Sequence, residues 1–343
     1  MLEFSKSNKG RVVSIVVPVR NEQESILQLY KRVKAVMEQD ALPFELIMVD
    51  DGSMDRSLEI LKRLENQDSC VKYLSLSRNF GHQSAILAGM DHSIGDAVIS
   101  MDADLQHPPQ LIQRMLELWR QGYEVVYTVK RDDHSLNLFR RASHRLFYWV
   151  LSKLSGMKLS FGQTDFRLMD RKAVDALHKM PERKKFLRGL VSWIGFRQTQ
   201  LEYDVPIRFA GESKLLSLRH RLGFALDGIL AFSTIPLRVF IFFGLFVSST
   251  AFLYGTYVIA VGLHAFLTGY TGHVLPGWAS VVAAILFIGG VQLVGLGVLG
   301  EYLIRVFDEA RQRPPYLVRE KSTDLGTAAQ IQKQEIVSTT LDV

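Results

Sequence analysis

Short apolar runs alternate with stretches of helical period through the first half of the chain. Val13–Val19 reads as a buried strand, followed by Ile26, Leu29, Tyr30, Val33 and Met37 at helical spacing. Phe44–Val49 predicts a second strand, closed by Asp50-Asp51-Gly52-Ser53. Ser53 or Asp55 would cap the next helix, which turns Leu58, Leu61 and Leu64 inward. Val71–Leu76 predicts a third strand, His82–Ser93 a helix and Asp96–Met101 a fourth strand. A helix through Leu111, Met115 and Leu118 follows, then a strand over Tyr123–Val129. Strands and helices alternating at this spacing pair in parallel through right-handed crossovers. The expected class is α/β, with a Rossmann-like, mostly parallel sheet.

The second half changes character. Leu138, Ala142, Leu146, Phe147, Val150 and Leu154 continue a helical pattern, and Thr164–Met169 and Leu201–Arg208 predict strands. Leu215, Leu218, Leu222, Leu226 and Ile229 predict an amphipathic helix whose place just before an apolar run marks it as interfacial. Val239–Leu263 and Val274–Gly300 contain no Asp, Glu, Lys or Arg. Roughly 25 residues of helix cover about 37 Å, enough for a hydrocarbon core of about 30 Å. The expected organisation is a tail over 1–11, an α/β domain over 12–214 and a juxtamembrane helix over 215–235. A membrane hairpin then fills 236–304, with spans near 239–263 and 276–300. The segment 305–343 is polar and unpatterned beyond about 320, which predicts disorder there.

Charge sets the orientation. Arg238 precedes the first span and Arg305, Arg311 and Arg313 follow the second, while the linker His264–His273 has neither Lys nor Arg. The positive-inside rule puts both termini and the α/β domain in the cytoplasm, on a multi-pass protein of the cytoplasmic (inner) membrane. Val12–Val19 is too short and too β-branched for a secretory leader, so it reads as a strand. A single cysteine, Cys70, excludes an intramolecular disulfide and fits a reducing compartment. The formal charge of +6 suggests an anionic partner without choosing its class. Gly289, Gly290, Gly295, Gly297 and Gly300 in the second span permit close helix packing, hence a possible homo-oligomer.

Candidate chemistry gathers at the carboxyl ends of the predicted strands, where open α/β sheets bind ligands. Asn21-Glu22, Asp50-Asp51-Gly52-Ser53, Arg78-Asn79 and Asp102–Gln106 all fall there. Asp102 and Asp104, two residues apart on an extended segment, point the same way. With Gln106 they offer hard oxygen donors for Mg²⁺ or Mn²⁺, which keep sites open for water and phosphate oxygens. An isolated Asp-x-Asp also reads as a solvated acidic turn; three companion clusters on one rim favour a site. Asp50 or Asp51 could accept hydrogen bonds from a uracil N3–H or ribose hydroxyls, with Gly52 letting the backbone approach. No Gly-x-Gly-x-x-Gly follows the first strand, and no Gly-x-x-x-x-Gly-Lys-Ser/Thr occurs, which counts against dinucleotide oxidoreductases and P-loop NTPases.

Val17-Pro18-Val19-Arg20-Asn21-Glu22, Val49-Asp50-Asp51-Gly52-Ser53 and Asp102-Ala-Asp104-Leu-Gln106-His-Pro-Pro109 resemble the three signature blocks of inverting family 2 glycosyltransferases. The resemblance is narrower to those that act on polyprenyl phosphates, the bactoprenol glucosyltransferases and dolichol-phosphate mannose synthases, and covers about residues 12–319. It implies a GT-A-type nucleotide-sugar fold and transfer from a UDP-sugar, most simply UDP-glucose, or a GDP-sugar to a polyprenyl phosphate such as undecaprenyl phosphate. It implies nucleotide-sugar contacts from Pro18, Asn21, Glu22, Asp50, Asp51, Asp102, Arg208 and Lys214, and metal contacts from Asp102, Asp104 and Gln106. Arg131 matches an arginine that contacts acceptor phosphate, and Arg140 or Arg141 a second basic position. Asp104, Asp165 and Arg131 become the candidate catalytic residues, with Asp165 at the place of a candidate base; it could equally pair with Arg167 or cap a turn. The expected partners are a nucleotide-sugar, a lipid phosphate and the membrane, with no nucleic acid. Mannose or aminosugar transfer and a non-catalytic membrane adaptor are the alternatives; an adaptor would have shed the paired carboxylates. A processive polysaccharide synthase would carry Gln-x-x-Arg-Trp, where this chain reads Arg188-Gly-Leu-Val-Ser-Trp193.

Overall fold

The computed structural model describes residues 11–40, 42–131, 162–182, 185–204, 235–268 and 278–325. They fall into two units, one built on a sheet and one on two long helices.

In the first unit the predicted alternation is present. The elements are β1 (Val13–Val19), α1 (Ile26–Asp40), β2 (Phe44–Asp50), α2 (Ser57–Gln67), β3 (Val71–Leu76), α3 (His82–Asp91), β4 (Ala97–Ser100) and α4 (Leu111–Arg120). There follow β5 (Val125–Lys130), β6 (Gln163–Asp170), α5 (Arg171–His178), α6 (Leu187–Trp193) and β7 (Gln198–Tyr203). After the helical unit comes β8 (Val318–Lys321). One sheet holds all eight strands in the order β7-β5-β6-β4-β1-β2-β3-β8. Every residue of β1 and β4 is buried, as expected of central strands covered on both faces. The core packs Ile15, Val17, Leu46 and Met48 against Ile26, Leu29, Ile112, Met115 and Phe166.

Three features depart from the sequence reading. β6 inserts between β4 and β5 and runs antiparallel to both, so the sheet is mixed where consecutive parallel strands were expected. β7 starts at Gln198, earlier than Leu201, because its parallel pairing with β5 begins at Val125 and Gln198. Order also extends past 320: β8 pairs antiparallel with β3, and Ser322 Oγ accepts from the Tyr73 amide at 2.8 Å. Leu325 is buried, so this edge is sealed by backbone pairing and a small apolar anchor that the polar composition hides. Tyr316 and Lys62 secure the same segment: the Tyr316 hydroxyl donates to Asp91 at 2.7 Å and Lys62 pairs with Glu320 at 2.7 Å.

The sheet opens at its centre. β1 pairs with β2 along its whole length, but with β4 only from Val13–Ala97 to Val16–Ser100. Met101 makes the last contact, donating its amide to the Val16 carbonyl at 3.0 Å. Pro18, which has no N–H to give a neighbouring strand, stands just past the point where β4 leaves. Beyond it the loops after β1 and β4 diverge, the kind of crevice in which α/β sheets bind ligands.

The second unit consists of α7 (Ile235–Thr268) and α8 (Trp278–Ala310). Both are longer than the spans read from sequence, and each holds a stretch apolar enough to cross a membrane, Leu237–Tyr257 and Phe287–Ala310. Among the described residues no side chain of these stretches is buried, and Phe242, Phe246, Phe252 and Leu293 are largely exposed. Of the five glycines in the expected stripe, only Gly295 is closely approached: a Cβ there would stand 2.2 Å from the tip of the Phe240 ring. Gly289, Gly290, Gly297 and Gly300 have nothing within 4 Å of that position. Gly295→Leu is therefore expected to lower the thermal stability of the detergent-solubilised helical unit, while Gly297→Leu leaves it unchanged; equal effects would contradict the Phe240–Gly295 contact.

Candidate active site

The loops at the carboxyl ends of β1 and β2 are laced into one rim. Asn21 adopts a left-handed conformation with φ of 54°. Its amide donates to Ser53 Oγ at 3.0 Å and its Oδ1 accepts from the Met54 amide at 2.8 Å. The Glu22 amide donates to Ser57 Oγ at 3.0 Å, and the Glu22 carboxylate accepts from Ser25 at 2.7 Å, just ahead of α1. Asp50 accepts from the Ser53 amide and from Ser75 Oγ, each at 3.0 Å. Asp51 takes the Phe80 amide at 2.7 Å on one oxygen and the Gly81 amide at 3.0 Å on the other. Burial pushes the Asp51 carboxyl up, against the pull of these two amides. Both aspartates are thus buried acceptors that shape the rim. Gly52, with φ of 67°, lets the chain pass where a Cβ would lie 2.7 Å from the Asn79 nitrogen.

After β4 the chain makes the turn that carries Asp102, Asp104 and Gln106. Ala103, Leu105 and His107 are buried, while Asp102, Asp104 and Gln106, which alternate with them, are partly exposed. The alternation read from the sequence is therefore present, although the backbone is a turn and Leu105 sits at φ of 62°. His107 braces the turn from inside: its Nδ1 accepts the Asp102 amide at 3.0 Å, which puts the proton of the neutral ring on Nε2. The ring stacks on Phe166 of β6 with centroids 5.1 Å apart and meets Tyr203 edge-on. Burial holds the His107 pKa below its usual value. Asp104 Oδ1 accepts the Gln106 amide at 3.1 Å.

β6 delivers Asp165 beside this turn, where four side-chain hydrogen bonds hold it. Arg188 of α6 grips it with two bonds, Nε to Oδ1 at 3.0 Å and Nη2 to Oδ2 at 2.9 Å. Arg167, fully buried, donates to Oδ1 at 2.9 Å, and Gln83 to Oδ2 at 3.2 Å. Burial alone would raise the carboxyl, but Arg188 and Arg167 outweigh it and hold it far below the usual range. His82, the first residue of α3, lies with Nε2 3.2 Å from Asp102 Oδ1 and 3.6 Å from Asp165 Oδ2. Burial would lower its pKa; Asp102 and Asp165 together raise it. Asp102 is likewise lowered: loss of hydration opposes ionisation, and His107 and His82 favour it more.

The structure brings together Asp102, Asp104 and Asp165, with Asn21, Glu22, Asp50 and Asp51 on the adjoining rim; Pro18 is buried within β1. Arg131, the first residue after β5, is more than half exposed and pairs with Asp204 at 3.3 Å and Glu202 at 3.7 Å. Arg140, Arg141, Arg208 and Lys214 lie outside the described residues, as do all but the last residue of the expected juxtamembrane helix (215–235) and of the expected tail (1–11). His82 and Gln83 were missed by sequence reasoning, which stopped at Arg78-Asn79; the glycine just before them, Gly81 at φ of 97°, was the available signal.

Among the described residues no three His, Cys, Asp or Glu side chains converge on one point as a complete metal cage. Two carboxylates on one face of a turn suit an ion that draws its other ligands from water and a bound diphosphate, the habit of Mg²⁺ and Mn²⁺. The donor set fits such an ion and does not fit a closed structural site.

Residues 14–177 match the Glycosyl transferase family 2 profile. An uncharacterized glycosyltransferase of Bacillus subtilis is 44% identical over 307 residues, which covers 90% of this chain and 93% of that protein. The bactoprenol glucosyl transferase of Shigella phage SfX is 40% identical over 309 residues, covering 90% of this chain and 99% of the phage protein. Among solved structures, the mannosyl-3-phosphoglycerate synthase of Rubrobacter xylanophilus aligns with a TM-score of 0.44 at 20% identity, over 65% of this chain and 73% of that one. The identity across nearly the full length of these relatives makes the chain a glycosyltransferase, a member of glycosyl transferase family 2.

Proposed function

We propose that this glycosyltransferase moves a single sugar, glucose from UDP-glucose as the first choice, onto a polyprenyl phosphate such as undecaprenyl phosphate. Transfer inverts the anomeric carbon and takes place at the cytoplasmic face of the membrane. The observation that carries the reading is the reach of the similarity. The bactoprenol glucosyl transferases match over 90% of this chain, a span that must take in at least one of the two long apolar helices as well as the sheet domain. An acceptor that resides in the bilayer gives such helices a direct use.

Asp104 and Asp102, with Gln106 beside them, would hold Mg²⁺ or Mn²⁺ against the donor diphosphate. When bound, the ion neutralises charge as the nucleoside diphosphate leaves. The chain supplies the rest. The rim at Asn21, Glu22, Asp50 and Asp51 receives the nucleoside, and Arg131, Arg140 or Arg141 steers the acceptor phosphate. Arg208 and Lys214 would close on the departing diphosphate. A polyprenyl phosphate is already anionic near neutral pH, so the reaction needs position more than a strong base. That agrees with Asp165, whose lone pairs are committed to Arg188, Arg167 and Gln83 and whose carboxyl is held fully ionised. Asp165 therefore anchors the arginines and orders the floor of the site.

Membranes containing the protein, given radiolabelled UDP-glucose, undecaprenyl phosphate and Mn²⁺, should yield an organic-extractable, acid-labile labelled lipid. Label from GDP-mannose or a UDP-aminosugar in place of glucose would change the donor assignment. Label in none of them would overturn the proposal.

A further inference from the structure

We infer that His82 is a positioning residue for the paired carboxylates: it fixes which edge of Asp102 faces the ligand. Among the described residues, it is the one side chain recorded in ion contact with both Asp102 and Asp165, through a single Nε2 atom. Asp102 Oδ1, the oxygen nearest His82, is sealed from solvent and accepts no hydrogen bond of good geometry. The Asp102 side chain as a whole is one-third exposed, so its exposure falls on the Oδ2 side. His82 Nε2 thus stands 3.2 Å from the inner oxygen, and His107 Nε2 stands 3.6 Å from the outer one. The carboxylate is bracketed by two imidazoles from different elements, with Oδ2 presented to the cleft.

His82 is itself well placed for this task. The Asp51 carboxylate fixes the Phe80 and Gly81 amides, and Gly81, in a conformation side chains rarely adopt, turns the chain into α3 with His82 first. Asp51 on the nucleotide rim and Asp102 at the paired carboxylates are therefore joined through three consecutive positions, Phe80 to His82. The next residue reaches the arginine cluster, since Gln83 donates to Asp165. Without His82, Asp102 would lose its neighbour on the Oδ1 side and keep only His107 beside Oδ2. Groups that orient a metal-binding carboxylate in this way typically matter about 10- to 100-fold to metal affinity.

The inference rests on the metal reading above, and the test separates the two. Mn²⁺ is titrated into the purified full-length protein with UDP present, and free Mn²⁺ is followed by electron paramagnetic resonance. His82→Ala should weaken Mn²⁺ binding by about tenfold or more. His82→Gln, whose amide nitrogen reaches the place of Nε2, should bind nearly as the natural protein does. His82→Asn, whose nitrogen reaches only the place of Nδ1, should behave like His82→Ala. Steady-state transfer should show the same order in the donor KM, with the acceptor KM unmoved. If His82→Ala binds Mn²⁺ normally while Asp104→Ala does not, the role of His82 is wrong and the metal reading stands. If Asp104→Ala also binds normally, the metal reading itself fails. Should His82→Ala not fold, the Gln and Asn variants decide the matter, and equal affinities for them overturn the inference.

Discussion

Asp104→Ala is expected to abolish sugar transfer, with a loss of about a thousandfold or more, since it removes electrostatic stabilisation of the departing diphosphate. The Gln106 amide pre-sets the Asp104 carboxylate at 3.1 Å, and the turn that carries it is pinned by His107 and by the burial of Ala103 and Leu105. Such a side chain is ordered before any ligand arrives, so its removal is not made good by rearrangement. Asp102→Ala should cost less, because Asp102 is bracketed by His82 and His107 and presents one edge only. Chelation with EDTA should reproduce the Asp104→Ala loss in the natural protein, and added Mn²⁺ should restore it there but not in the variant. Full transfer by Asp104→Ala in the radiolabelled lipid assay would remove Asp104 from the mechanism.

Asp165→Ala is expected to harm the fold as much as the activity. Arg167 is 2% exposed and Asp165 is 6% exposed, so removing the carboxylate strands a buried guanidinium and loosens Arg188. Breaking a buried pair from one side costs about 3–5 kcal/mol. In a domain of this size that corresponds to a fall in Tm of roughly 10 °C, measurable by thermal denaturation in detergent. A residue serving only as a base would give the opposite pattern, with activity lost and Tm unchanged. That result would return Asp165 to the role of a base.

These two aspartates mark the boundary of what could be read from residues alone. Asp102 and Asp104 announced themselves because their spacing and the apolar residues between them are local facts, and the alternation of exposure follows directly. The β1–α1–β2–α2–β3–α3–β4–α4–β5 series was legible for the same reason, since periodicity is carried within each element. Strand order is not local. β6 reads as an ordinary strand, and nothing in Gln163–Asp170 says that it inserts antiparallel between β4 and β5. Arg167 looks like a surface charge until that insertion buries it. His82 had no visible purpose because its partners come from elsewhere in the chain, Asp102 from the turn after β4 and Asp165 from β6. β8 was hidden by brevity: one valine and three charged residues have no hydrophobic signature, and their stability comes from hydrogen bonds to β3.

The return of β8 to the sheet changes what an excision of the helices would mean. The catalytic unit is not a head with a removable membrane tail; its polypeptide is interrupted by the hairpin and resumes at about residue 313. A chain stopped ahead of α7 would leave the β3 edge bare, with unpaired amides at Tyr73 and Ser77, no carboxylate for Lys62 and the Tyr316 bond to Asp91 lost. Bare strand edges recruit one another. A water-soluble form should therefore be spliced, joining the end of the sheet domain to 313–325 through a short flexible bridge. Simple truncation is the route to inclusion bodies.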